Sequence, residues 1–127
     1  MDELIARVSA ALGVDAGTAK NVIGLVLGFL QKEAPDSPVS DFLDQVPGSR
    51  EAIDAAEASG GSGGGLGGLM GGMGGLMGLA GKLNAAGLDM SQIQTLGREI
   101  FAYAETILGK EKVQQIASSI PGLSQFV

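Results

Sequence analysis

The sequence predicts an all-α protein: two degenerate helical repeats, each a helical hairpin with a short third helix, joined by a glycine/methionine-rich helix or linker. Three observations lead there. Apolar residues recur at i, i+3, i+4 spacing, and no stretch alternates as a half-buried strand would. Acidic or hydroxyl residues precede these runs, and glycine or proline follows them, as helix starts and stops require. Finally, two stretches of the chain keep register with each other at a fixed offset of 74 residues.

Taken in order, Asp2 caps a first helix with Leu4, Ile5, Val8, Ala11 and Leu12 inward, and Gly13 is its C′ stop. Asp15 caps a second helix from about Ala16 to Ala34. Its middle, Val22–Leu30, is apolar on every side and must lie between partners. Pro35 ends it. Ser37 then Pro38 is a cap followed by proline at the first helical position, opening a short helix with Val39, Phe42, Leu43 and Val46 inward. Pro47-Gly48 turns the chain, and Ser49 caps an acidic helix that runs into a glycine block. Beyond that block, Gly87 is another C′ glycine and Asp89 another N-cap. A long helix follows from Met90 to Leu108, with Ile93, Leu96, Ile100, Phe101, Ala104 and Ile107 on one face. Gly109 stops it. Lys110–Ile120 forms a short helix with Val113, Ile116, Ala117 and Ile120 inward, before a Pro121-Gly122 turn and an apolar tail of Leu123, Phe126 and Val127.

The offset matches Gly13-Val14-Asp15 to Gly87-Leu88-Asp89, and Val22, Val26 and Leu27 to Leu96, Ile100 and Phe101. It also matches Val39, Phe42 and Val46 to Val113, Ile116 and Ile120. Only six of the 38 positions from Ala11 to Gly48 are identical, yet cap, apolar face, helix break and Pro-Gly turn coincide. A unit of this size buries too little surface to stand alone, so two of them are expected to pack about a pseudo-twofold axis. The chain divides accordingly into an N-terminal repeat (1–59), a glycine-rich segment (60–81) and a C-terminal repeat (82–127).

Residues 60–81 hold thirteen of the 22 glycines and no charge. Their larger residues Leu66, Leu69, Met70, Met73, Leu76 and Met77, continued by Ala80 and Leu83, follow a seven-residue helical stripe. Eight glycines from Leu66 to Gly81 set such a helix on the order of 8 kcal/mol behind an alanine version. It needs a partner packed closely against it. Gly67, Gly71 and Gly75 form a ridge at intervals of four, the spacing that lets helix backbones approach. A helix over 66–81 is therefore expected, with 60–65 a flexible lead-in.

The glycine-rich apolar block, the capped Gly87-Leu88-Asp89, the long apolar helix, the short Val113-x-x-Ile116 helix and the apolar tail together resemble the VcgC/VcgE-like bacterial proteins of unknown function. The similarity covers residues 60–127 and is compositional as much as motif-based. It implies no catalytic residues.

Function is bounded mainly by exclusion. There is no Cys and no His, which removes thiolate nucleophiles, the usual zinc ligands and the commonest general base. Net charge is −6, with ten acids and four bases in residues 1–57 and four of each in 82–127. An acidic chain without a basic cluster argues against nucleic acid. A Walker loop around Gly81-Lys82 fails, because Leu76 and Leu83 occupy the positions that need Gly and Ser or Thr. The acids Glu51, Asp54 and Glu57, and Asp36, Asp41 and Asp44, lack calcium-loop spacing and read as solvated faces. No catalytic, cofactor or metal site is expected.

The expected function is non-enzymatic association with itself, as a homo-oligomer, or with another helical protein. The contacts are Leu66, Leu69, Met70, Met73, Leu76 and Met77, with Gly67, Gly71 and Gly75 as the ridge. The alternative is a membrane-active protein using the uncharged residues 58–81, which are long enough to span but poorly hydrophobic and unflanked by an aromatic or cationic belt. A small enzyme or regulator is the remaining class. The acidic start Met1-Asp2-Glu3 is unlike a signal peptide; with Met1 native, a cytoplasmic location is expected.

Overall fold

Two hinged helices begin the fold in the computed structural model, which describes residues 2–33, 38–60 and 76–119. Helix α1 (Asp2–Leu12) buries Leu4, Val8 and Leu12, spaced by four, so that they form one ridge. Ala11, expected inward, is exposed: Leu4, Val8 and Leu12 already fill the ridge against the core. The helix ends at Gly13, whose φ of 71° is the left-handed value that favours glycine. The Val14 N–H then donates back to the Ser9 carbonyl, closing a Schellman-type cap. The chain turns by 106° into α2 (Ala16–Glu33).

α2 is the axis of the molecule. Val22, Ile23, Gly24, Val26, Leu27, Gly28 and Leu30 are buried and Leu25 and Phe29 half-buried, as its all-round apolar middle required. It touches α1, α3 (Val39–Gln45), α4 (Ser49–Gly60), α5 (Leu76–Ala85) and α6 (Met90–Leu108). α7 (Lys110–Ser119) closes the described chain against α6. Among the described residues every regular element is a helix, so the protein is all-α.

Other local assignments also differ from the sequence expectation: Asp2, expected as a cap, is itself the first residue of α1. Pro38 occupies the N-cap of α3, one position earlier than expected, and makes no side-chain cap. Ser49 does not cap its own helix. Its buried hydroxyl donates to the Leu43 carbonyl at 3.0 Å, satisfying one of the carbonyls left open at the end of α3. Gly48, at φ 89°, turns the chain there and its carbonyl accepts the first bond of α4 from the Ala52 N–H.

The glycine-rich segment is divided differently from the 60–81 boundaries. α4 runs as far as Gly60, and α5 spans Leu76 to Ala85, across the expected boundary at 81/82. The stop is Gly87 (φ 104°), with Leu88 N–H to Leu83 O and Gly87 N–H to Asn84 O. Asp89 caps α6 as expected and completes a capping box. Its carboxylate accepts from the Gln92 N–H at 2.8 Å, and Gln92 Oε1 accepts from the Asp89 N–H at 3.0 Å.

Shifted by 74, α1, α2 and α3 become 76–86, 90–107 and 113–119, against the observed α5, α6 and α7 at 76–85, 90–108 and 110–119. α4 has no described counterpart. The core runs between the two sets: Leu4, Val8, Leu27, Phe42 and Val46 from one side, Leu83, Leu96, Ile100, Phe101 and Val113 from the other.

Candidate interaction site

The residues expected to carry association fall mostly outside this frame. Leu66, Gly67, Leu69, Met70, Gly71, Met73 and Gly75 lie outside the described residues. Leu76 and Met77 open α5. Further along that helix the buried face is Leu79 and Leu83, with Ala80 half-buried. Leu79 was not in the expected stripe. It is buried because α5 seats a four-residue ridge on α2 and the shared core, a tertiary demand that a seven-residue count does not include.

A close helix contact of the kind expected for the glycine segment is present elsewhere, between α2 and α4. Gly24 and Gly28 of α2 and Ala52 and Ala56 of α4 are all buried, each pair four apart. A Cβ on Gly24 would lie 2.0 Å from the Ala52 carbonyl oxygen and 2.9 Å from the Ala56 Cβ. No side chain larger than hydrogen fits at that crossing. The signal was legible as Gly-x3-Gly against Ala-x3-Ala, but it sat inside stretches read only as apolar and acidic.

Among the described residues the polar surface holds no cluster able to hold a metal ion. Asp41 and Asp44 are exposed, with Lys112 Nζ at 3.5 Å from the first and Arg50 at 2.7 Å from the second. Glu51 and Asp54 face solvent. Asp15 has its pKa lowered, chiefly by the hydrogen bond from the Thr18 side chain; desolvation opposes this, and backbone N–H groups at the start of α2 add to the lowering. Asp15 and Thr18 have the same spacing as Asp89 and Gln92, so both long helices begin with an acid whose carboxylate accepts from its third successor. Gln92 reaches further: its Nε2 donates to the Leu12 carbonyl at 3.0 Å, tying α6 to the end of α1.

One gap opens in the core between α2, α3, α6 and α7. Leu27, Leu30, Val39, Phe42, Ile100, Phe101, Ala104 and Ile116 line it, and it leaves about 10 Å³ for a water-sized sphere. Nothing in that lining could hydrogen-bond a water, and a metabolite needs a pocket of roughly 300 Å³ or more. Phe42 meets Tyr103 edge to face beside it, ring centres 6.2 Å apart. Among the described residues no single helix is long and apolar enough to cross a membrane. α1 and α2 pass such a test only as a bent pair, and their apolar residues are core residues here. Compared with protein-family models, with curated proteins and with solved structures, the chain matches none.

Proposed function

We propose that the protein is a non-enzymatic helical assembly protein that associates with itself through the Leu/Met stripe of its glycine-rich segment. The observation that carries the reading is the seven-residue spacing of Leu66, Leu69, Met70, Met73, Leu76 and Met77 beside glycines at intervals of four. On a helix these residues form one adaptable apolar face, and Gly67, Gly71 and Gly75 form a groove beside it into which a second helix fits. The helical state of α5 from Leu76 onward lends support to a helical stripe. So does the α2–α4 crossing, where glycine and alanine at the same spacing bring two helices of this chain together.

The test is light scattering behind size exclusion on the full chain and on a Gly71→Leu, Gly75→Leu double variant. The full chain is expected to run as an oligomer and the variant as a folded monomer. Assembly that survives both leucines would remove the close-packing idea. Liposome binding that depends on residues 66–80 would favour the membrane reading in its place.

A further inference from the structure

The packing between the two halves is reciprocal. α1 lies on α6 as well as on α2, and α5 lies on α2 as well as on α6. Each half therefore lends its first helix to the other half's long helix. Every residue that α6 buries, namely Ile93, Leu96, Gly97, Ile100, Phe101 and Ala104, has a buried residue of α2 at the same place 74 positions earlier. The positions buried in α2 alone are Gly24 and Gly28, and Gly24 lies under α4. The core gap repeats the pattern: Leu27 with Phe101, Leu30 with Ala104 and Phe42 with Ile116 line it as offset pairs. Even the Schellman bond recurs, Val14 to Ser9 and Leu88 to Leu83.

We propose that α1–α3 and α5–α7 are two copies of one unit about a local twofold axis, and that the surface each presents to the other accepts the matching half of a second copy of this chain. A twofold interface is self-complementary, so the half that fits within a chain fits equally between chains. The link between α4 and α5 is fifteen residues, 61–75, ten of them glycine. A short tether holds its ends at an effective concentration on the order of millimolar. Closure within one chain then prevails in dilute solution, and exchange between chains grows when concentrated protein refolds. The buried residues of α5 argued from here are Leu79 and Leu83, which the stripe reading does not use as contacts, so the proposal is tested apart from that reading.

The experiment uses the full chain with a protease site replacing Gly63–Gly65, folded first and cut afterwards. The two fragments are expected to remain one helical particle by native mass spectrometry and circular dichroism. Heavy- and light-isotope samples, cut, unfolded and refolded together, should give mixed particles with one fragment of each kind. Uncut chain refolded at rising concentration should give a growing dimer fraction, and that dimer should persist with Gly71→Leu and Gly75→Leu in place. Fragments that run apart after cutting would overturn the shared interface. An uncut chain that refolds only to monomer at every concentration would overturn the second copy as its partner.

Discussion

Gly24 sits where the backbone of α4 comes close to that of α2, and the geometry there sets a sharp size limit. A methyl group would meet a main-chain oxygen at 2.0 Å, and a carbonyl held in a helix cannot swing aside as a side-chain end can. Gly24→Ala gains about 1 kcal/mol of helix propensity but forces α2 and α4 apart, a cost of roughly 1–3 kcal/mol or more for overpacking. With a backbone atom as the obstacle the cost falls at the upper end of that range, so a net loss of about 1–2 kcal/mol is expected, read as a lower urea midpoint. Gly81→Ala is the control. It lies in α5, is exposed, and its added methyl would meet nothing within 4 Å, so it should stabilise by about 0.5–1 kcal/mol. Equal midpoints for the two variants would mean that the crossing is not tight.

At the scale of elements, the helix ends were the most legible feature of the chain. Gly13, Gly87 and Gly109 take positive φ where a C′ or C-cap glycine was expected, and Asp89 caps α6. These signals are local: one residue, one backbone conformation, one hydrogen bond. What the sequence did not disclose depends on a neighbouring element. The role of Ser49 is set by a carbonyl of α3, six residues back, and the exposure of Ala11 by how α1 leans on α6. The second duty of Gln92 falls in the same class. Its side chain caps α6 and also holds the Leu12 carbonyl, 80 residues away. Gln92→Ala removes both bonds and should cost about 1–2 kcal/mol, seen as a fall in thermal midpoint. The stripe assigned to association stays a sequence argument, since most of it lies outside the described residues.

For the whole molecule, one apolar cluster draws on α1 through α7, so neither half keeps a core when the other leaves. A single cooperative transition is expected, with helical circular dichroism and the fluorescence of Tyr103, the sole tyrosine, melting together. Two separate transitions would contradict a shared core. Two ion pairs that join the halves among the described residues add a consequence of another kind. Arg7 meets Glu99 at 3.3 Å and Lys112 meets Asp41 at 3.5 Å, each half supplying one cation and one anion. Exposed pairs of this sort stabilise by roughly 0–1 kcal/mol each, too little to hold the fold. They can nonetheless sort partners. If two N-terminal halves met, Arg7 would face Leu25 and Asp41 would face Pro38; if two C-terminal halves met, Glu99 would face Gly81 and Lys112 would face Gln115. Either like-with-like match loses both bridges, and the first also brings together two N-terminal stretches (residues 1–57) that each carry an excess of six negative charges. On the proposed twofold, charge therefore prefers the complementary half, a preference that added salt should erode.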